Sequence, residues 1–355
     1  MKKEPPAERP LVSVVLATYN EARSIERCIA SLLEQETPNF DLEILAVDGE
    51  SRDGTREILE KVAAADRRVR VLTNHKRRAP FAFNLGLRDA RGEYVCIFGA
   101  HTVYAKDYIS VCLRELIAHN AVGCGGRVVT QPSAPTPQAR LVTWALSHPF
   151  GSSRKSFRTQ QEGFADTVNY PIMLREALLE VGGYDEELLR NQDNDTNQKL
   201  RAKGYTLYCT WKTRCFYHPK GTVRDLLAYA AGNGFWNVIS LKKNRASMAA
   251  HHFIPFLFLL GLLSTLLLGV AGVFLPSPYR AVVTLPFAAL LGLHLCVGSA
   301  AALQVAIRER SLEPLWLPFI FLGFHVAYGY GTLSGFARNA KPPTPAPDRL
   351  LVVRG

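Results

Sequence analysis

Short apolar runs and amphipathic segments alternate along the first hundred residues. Residues 11–17, 42–47 and 94–98 are nearly uninterrupted apolar runs, whereas 24–35 and 56–65 place apolar residues at helical spacing. Continuous apolar strands that alternate with helices are typical of a parallel sheet with both faces covered. The pattern therefore predicts an α/β fold with a mostly parallel sheet covered by helices.

The last hundred residues follow a different pattern. The stretches 253–275, 281–307 and 314–336 contain no charged residue, and from residue 253 onward there are only three acidic and seven basic side chains. Each stretch is long enough for a helix to cross a hydrocarbon core of ~30 Å. Buried helices of soluble proteins rarely run so long without a charge, so three transmembrane helices are predicted.

Positive charge is concentrated before the first uncharged stretch. Ten basic residues and one acidic residue lie between positions 199 and 245, and Lys242, Lys243 and Arg245 come last among them. Basic residues are enriched on the cytoplasmic side of spans, which predicts that the polar part faces the cytoplasm. With three spans the basic tail would lie outside, which disagrees with the same rule, so the side of the tail is left open.

The segment 222–252 mixes apolar, aromatic and basic residues. This combination predicts a helix that lies in the headgroup region of a membrane. The alternative is a helix packed on the globular domain with a solvated basic end. The expected organisation is thus a charged lead, a globular domain, a basic interfacial region, a membrane region and a Pro-rich tail, at 1–10, 11–221, 222–252, 253–336 and 337–355.

The charged lead is followed by too short an apolar run for a signal peptide. The seven cysteines are odd in number and contain no C-x-x-C pair, which favours free thiols in a reducing compartment over a disulfide scaffold or a zinc ribbon. Both observations predict that the globular domain stays in the cytoplasm.

Polar motifs follow the predicted strands, at the edge where α/β sheets bind ligands. The first strand ends in Thr18-Tyr19-Asn20-Glu21, and the second is followed by the run Asp48-Gly49-Glu50-Ser51-Arg52-Asp53-Gly54-Thr55. Neither contains the glycine-rich phosphate loop of dinucleotide-binding or P-loop proteins. Further short motifs occur in order along the chain: Ala82-x-Asn84, Arg91-Gly92-Glu93-Tyr94, Val181-Gly182-Gly183-Tyr184-Asp185 and Gln192-Asp193.

This ordered set of motifs resembles family-2 glycosyltransferases, which have a GT-A fold. The membrane-spanning end and Gly234-Phe235-Trp236 look like the bacterial succinoglycan-biosynthesis type of glucosyltransferase. The resemblance implies a nucleotide sugar as donor, a UDP-sugar above all, and a polyprenyl-linked saccharide as acceptor. It also implies a place in the bacterial inner membrane, contact with membrane lipids, other polysaccharide assembly proteins as candidate partners, and no role for nucleic acid.

The resemblance implies that Asp48 accepts a hydrogen bond from the uracil N–H of the donor. Asp53 and Glu21 have a structural alternative, which is to cap a helix or orient a loop. The phosphate contact predicted for Arg78 has the alternative of a solvated surface charge. The candidate donor-binding residues are Thr18, Asn20, Glu21, Asp48, Arg78, Ala100 and Asp166.

A divalent cation, Mn²⁺ or Mg²⁺, is the cofactor that the resemblance implies. The family carries Asp-x-Asp or Asp-Ala-His for it, whereas this chain has Gly99-Ala100-His101, without the first acid. His101 and His218 are the candidate ligands, and two imidazoles suit Mn²⁺ better than Mg²⁺. Each histidine could instead have a structural role.

Asp193 is the candidate catalytic base. Inverting transfer needs one carboxylate to take the proton of the acceptor hydroxyl, and Asp193 occupies the position of the family's Glu-Asp pair. Its alternative role is to cap a helix. No Q-x-x-R-W motif follows, which predicts transfer of one sugar rather than polymerisation. The rival functions are a catalytically silent partner protein, motivated by Gly49 and Gly99, and a membrane transporter.

Overall fold

The computed structural model describes residues 9–154, 156–276 and 279–338. These residues form two compact units, the first from 9–129 and 160–218 and the second from 130–159 and 219–338. The inclusion of 130–159 in the second unit was not predicted from the sequence. The predicted tail 337–355 lies outside the described residues beyond Arg338, as does the lead before Arg9.

The first unit is built on a nine-stranded sheet with the order β3-β2-β1-β4-β8-β6-β9-β5, and β7 pairs with β9. The pairs β1–β2, β1–β4 and β2–β3 are parallel, whereas β4–β8, β6–β8, β5–β9 and β7–β9 are antiparallel. The strands are β1 Leu11–Thr18, β2 Asp41–Asp48, β3 Val69–Thr73, β4 Tyr94–Gly99, β5 Thr102–Tyr104, β6 Gly123–Thr130, β7 Gly163–Phe164, β8 Ile172–Leu174 and β9 Leu207–Tyr217.

The sheet is therefore mixed, and the expectation of a mostly parallel sheet holds only for β1 to β4. Of these strands, β1, β2 and β4 have continuous apolar runs, and β1 and β2 are buried almost throughout. The helices of the chain are α1 Ile25–Leu33, α2 Thr55–Ala65, α3 Ala79–Asp89, α4 Tyr108–Ala118, α5 Pro137–Ser147, α6 Pro149–Ser152, α7 Arg175–Glu180, α8 Gln192–Ala202, α9 Val223–Lys243, α10 Ile254–Gly272, α11 Tyr279–Glu309 and α12 Leu317–Ala337.

A buried carboxylate fixes the amino-terminal edge of the parallel strands. Glu43 on β2 is 3% exposed and accepts hydrogen bonds from Ser13 Oγ at 2.6 Å and from the backbone N–H of Arg91 at 2.8 Å. Its second oxygen accepts from the Arg91 guanidinium at 2.7 and 2.9 Å. Gly92 is required beside them, because a Cβ there would lie 2.5 Å from the carbonyl oxygen of Leu11.

Asn84 joins two motifs that are far apart in the sequence. Its side chain donates to the carbonyl oxygen of Tyr184 at 2.8 Å and accepts from the Tyr184 N–H at 2.9 Å. Gly183 has a φ of +68°, and a Cβ there would lie 2.6 Å from Asn84 Oδ1. The buried amide thus holds the turn that leads from α7 towards α8, and only glycine fits against it.

In the second unit α9 packs closely on α12. A Cβ on Gly331 would lie 1.9 Å from the carbonyl oxygen of Ala231, and one on Gly234 would lie 2.0 Å from that of Tyr328. Small residues allow such backbone approach between apolar helices. Gly331 and Gly335 of α12 form the G-x-x-x-G spacing that suits this contact.

This packing corrects part of the interfacial-helix prediction. Trp236 and Ile239, expected to face the headgroups, are 7% and 3% exposed. The apolar face of α9 is therefore largely occupied within the second unit, and the exposed feature of its end is the basic group Lys242, Lys243 and Arg245. A position of α9 at a membrane surface remains a prediction.

Two helices in the described part of the chain are long and apolar enough to cross a membrane, Ala250–Gly272 and Tyr279–Glu309. The third predicted span forms the helix α12 but is not among them, since it carries polar and glycine residues towards its end. His294 on α11 and His325 on α12 join across the helices, Nε2 to Nδ1 at 3.0 Å. His325 Nε2 lies 3.0 Å from the carbonyl oxygen of Phe150, which agrees with a hydrogen-bonding role for both histidines.

Candidate active site

The carboxyl ends of β1, β2 and β4 lie side by side and carry the predicted donor-binding residues. Thr18 is in register with Asp48, and Ala17 is in register with Gly99. Thr18 and Ala100 are almost fully buried. Asp48 is 0% exposed and accepts from Ser51, at 2.6 Å from Oγ and 3.1 Å from the N–H. These three residues form the floor of the edge, and the predicted contact of Asp48 with a base stays a prediction.

The loops after β1 and β2 are tied together by reciprocal hydrogen bonds. The Asn20 N–H donates to Ser51 Oγ at 2.9 Å, and Asn20 Oδ1 accepts from the Arg52 N–H at the same distance. Asn20 has a φ of +54°, a conformation that asparagine tolerates better than most residues. The role of Asn20 in this structure is to shape the loop above the sheet edge.

Asp53 connects the same two loops. It accepts from the Thr55 N–H and hydroxyl and from the Ala22 N–H, at 3.1, 2.6 and 3.1 Å. Burial alone would raise the pKa of Asp53, but these hydrogen bonds lower it below the ordinary value of 3.8. Asp53 precedes the N-cap residue of α2, Gly54, and its carboxylate ties the start of that helix to the loop after β1.

Glu21 and His101 face each other at this edge. One Glu21 oxygen accepts from Ser24 Oγ at 2.8 Å, and the other lies 3.6 Å from His101 Nδ1. Glu21 therefore positions His101 as well as the start of α1. Both side chains are about three-quarters buried, which leaves part of each accessible to a ligand.

His101 and His218 are neighbours across the β5–β9 ladder. Thr102 pairs with Tyr217, so the next residues outward, His101 and His218, lie opposite each other. Burial lowers the pKa of His218 below 6.5, and the positive charges of Arg27 and His101 lower it further. Arg27, on the exposed side of α1, therefore belongs to the same cluster.

The residues present do not make up the expected metal site. Within the described ranges no three His, Cys, Asp or Glu side chains are grouped so that they could hold a metal ion. At Gly99, where the first acid of the motif would stand, a Cβ would lie 3.1 Å from Cε1 of Tyr170. Two imidazoles alone are a poor ligand set for a hard cation, so the residues present do not fit one.

A charged loop lies beside the edge, after β3. Glu50, with a φ of +60°, binds His75 Nδ1 at 2.8 Å and Arg77 Nε at 2.7 Å. Hydrogen bonds from His75 and Arg77 lower the pKa of Glu50 below its ordinary value. Arg78 follows at the start of α3, half-buried, and its predicted phosphate contact stays a prediction.

Asp193 lies in the first turn of α8, which begins at Gln192. Thr196 of the same helix donates to the Gly183 carbonyl oxygen at 3.5 Å, which places α8 beside the turn that holds Tyr184. Burial raises the pKa of Tyr184, and the negative charge of Asp193 raises it further. Asp195 on the same turn is 2% exposed and pairs with Lys199 at 2.6 Å. Asp193 is half-buried, and its carboxylate accepts from the Asn194 N–H at 2.9 Å, so part of the side chain stays accessible, as a base requires.

Asp166 pairs with an arginine of α8. It is 67% exposed and lies 3.2 Å from Arg201, eight positions after Asp193 on that helix. The predicted position of Asp166 near the sugar stays a prediction. Arg27, Glu50 and Tyr170 were not predicted from the sequence. Only Glu50 had a signal, because it is an acidic residue within the motif that follows β2.

Comparison with known proteins agrees with this architecture. The model of the family described as "Glycosyl transferase family 2" matches residues 13–182. The succinoglycan biosynthesis protein ExoA of Rhizobium meliloti is 30% identical over 246 residues, which cover 68% of this chain and 73% of that protein.

Two further similarities extend over almost the whole chain. A dolichyl N-acetyl-alpha-D-glucosaminyl phosphate 3-beta-D-2,3-diacetamido-2,3-dideoxy-beta-D-glucuronosyltransferase of Methanococcus voltae is 24% identical over 342 residues, 92% of this chain and 98% of that protein. The mannosyltransferase PcManGT from Pyrobaculum calidifontis, solved with GDP-Man and Mn²⁺, is 21% identical with a TM-score of 0.57 and covers 94% of this chain and 89% of its own. The chain is therefore a glycosyltransferase that belongs to family 2, with a GT-A-like fold and apolar C-terminal helices.

Proposed function

We propose that this glycosyltransferase transfers one sugar from a nucleotide sugar, a UDP-sugar above all, to a polyprenyl-linked saccharide, with inversion at the anomeric carbon. The supporting observation is the position of Asp193, accessible in the first turn of α8 beside Tyr184, with the buried Asp195 held by Lys199. The printed names of two relatives, one of succinoglycan biosynthesis and one that acts on a dolichyl-linked sugar, support a glycan acceptor on a lipid.

In the proposed reaction the acceptor hydroxyl oxygen attacks the anomeric carbon as the bond to the nucleoside diphosphate breaks. Asp193 takes the hydroxyl proton, and the leaving diphosphate keeps the electron pair of the broken bond. The attack comes from the face opposite the leaving group, which inverts the configuration. Glu21, Asn20 and Asp53 hold the loops at the edge where the donor would bind.

The two candidate spans support a membrane-held enzyme. We further propose that the first unit faces the cytoplasm of a bacterial inner membrane, because Lys242, Lys243 and Arg245 precede the first candidate span. A polyprenyl-linked acceptor could then be reached from the membrane surface.

The test uses the full-length protein in lipid nanodiscs with a panel of radiolabelled UDP- and GDP-sugars and a polyprenyl-linked saccharide extract. We expect one sugar to enter the lipid fraction and Asp193→Asn to lower that rate at least a hundredfold, the scale expected for losing a general base. Glu180→Gln, an exposed carboxylate on α7 that pairs with Lys203, is the control. No transfer from any donor would favour the catalytically silent partner protein.

A further inference from the structure

The end of β4 lacks the first metal-binding acid, and a tyrosine ring lies where the side chain of that acid would be. The ring of Tyr170 fills the place towards which a side chain at position 99 would point: a Cβ there would lie 3.1 Å from Cε1 and 3.7 Å from the hydroxyl oxygen. An aspartate at this position would therefore require the tyrosine ring to shift.

Tyr170 is held in this place by its surroundings. It has a φ of +50°, which costs free energy for a bulky residue and persists only where neighbouring structure enforces it. The buried Tyr108 hydroxyl donates to the Tyr170 carbonyl oxygen at 3.0 Å, and Tyr104 packs edge-on against the ring at 6.0 Å. The Tyr104 hydroxyl also accepts from the Gly99 N–H at 3.0 Å. Gly99 and Tyr170 are thus parts of one packed arrangement.

Positive charge is available beside this arrangement without a metal. Arg27 is permanently charged, and the next residue, Cys28, has its Sγ 3.5 Å from the Gly99 carbonyl oxygen, so this turn of α1 lies beside the end of β4. His101 lies opposite His218, and their rings can donate N–H groups to an anion. Glu21 is the one carboxylate that pairs with these side chains in the described structure.

We propose that this protein binds the diphosphate of its nucleotide-sugar donor without a divalent metal: the Tyr170 ring occupies the space of the first metal-binding acid, and Arg27, His101 and His218 bind the diphosphate instead. The inference rests on the proposed donor and concerns how that donor is held. It applies equally to UDP and GDP, because it involves only the part that they share.

The first experiment measures binding of UDP and of GDP to the full-length protein in nanodiscs by calorimetry, in Mn²⁺ and in EDTA. We expect the Kd of the nucleotide that binds to differ by less than about threefold between the two buffers. A Kd at least about tenfold weaker in EDTA would overturn the inference and leave the proposed function standing. Failure of both nucleotides to bind in either buffer would overturn the proposed donor, and the inference with it.

The second experiment tests the replacement charge. Arg27→Ala should weaken nucleotide binding in EDTA about tenfold, as expected for the loss of a charge-assisted hydrogen bond. Arg88→Ala is the matched control, an exposed arginine in the last turn of α3, at the opposite end of the strands. An Arg27→Ala protein that binds within twofold of the unchanged protein would refute this assignment.

The third experiment tests Tyr170 by restoring the acid. The double variant Gly99→Asp with Tyr170→Ala should bind the nucleotide at least about tenfold more tightly in Mn²⁺ than in EDTA. The single variant Gly99→Asp should show a smaller difference between the two buffers. Equal gain in both variants would show that Tyr170 does not occupy the space. If thermal unfolding shows that the double variant is not folded, the buffer comparison on the unchanged protein decides.

Discussion

Replacing Asn84 by alanine should loosen the turn before α8 and slow catalysis without weakening donor binding. The change removes the donor to the Tyr184 carbonyl at 2.8 Å and the acceptor for the Tyr184 N–H at 2.9 Å. It also removes the contact with Glu186 Oε1 at 3.0 Å. Tyr184 neighbours Asp193, so the loosened turn acts on the proposed base through its position.

The magnitude follows from the two backbone groups that lose their partner. An unpaired buried polar group costs about 1–3 kcal/mol, so the loss of two partners should lower the local opening free energy by about 2–6 kcal/mol. Since 1.4 kcal/mol is about a factor of ten, hydrogen exchange at the Tyr184 amide should accelerate about 30-fold or more.

The assay is amide hydrogen exchange followed by mass spectrometry on peptides that contain Gly183 and Tyr184, together with kcat and the Kd of the donor nucleotide. Arg88→Ala, exposed on the same helix α3, should leave exchange unchanged. Acceleration below about threefold in Asn84→Ala, or an equal effect of Arg88→Ala, would show that the Asn84 hydrogen bonds do not hold this turn. A weakened donor Kd with unchanged kcat would show that Asn84 acts on the donor and not on the base.

Three further predictions concern separate parts of the chain. Burial raises the pKa of Glu43, but hydrogen bonds from Ser13 and Arg91 lower it below 4.5. The contribution of Glu43 to stability is therefore present above pH 4.5 and is lost as the pH falls through its folded-state pKa. Acid unfolding should show this loss, and Glu43→Gln should remove that part of the pH dependence while destabilising the protein at pH 7. Gly331→Ala should lower the thermal unfolding temperature because its Cβ would overlap the Ala231 carbonyl, whereas Gly292→Ala, with open space around it, should be neutral. Asp166→Asn should keep at least about half of the transfer rate, and a loss comparable with that of Asp193→Asn would contradict its position beside Arg201.

The parallel part of the fold could be predicted from the sequence because its signal is local. Continuous apolar runs marked β1, β2 and β4, and the motifs that follow them do lie at one edge of the sheet. Strands such as β7 and β8 have two and three residues, too few for any periodicity to show. Their antiparallel pairing depends on distant partners, so the expectation of a mostly parallel sheet failed there.

The residues of the candidate site could be predicted from the sequence more readily than their arrangement in space. Glu21, His101 and His218 do lie together, because each follows a strand that ends at the same edge or in the same ladder. Asp166 was placed by its match to a motif, which does not reveal that its partner would be Arg201. Tyr170 could not be found from sequence, because its importance comes from the space above Gly99.

The bond between His294 and His325 has a direction. The Phe150 carbonyl can only accept, so His325 donates from Nε2, accepts at Nδ1, and leaves His294 to donate from its own Nε2. Two neutral rings satisfy both bonds in one proton arrangement only. The chain of donors ends at His294 Nδ1, a buried acceptor with no hydrogen-bond partner among the described residues. The two histidines are therefore not interchangeable: the side chain at 325 must both donate and accept a hydrogen bond, whereas the side chain at 294 need only donate.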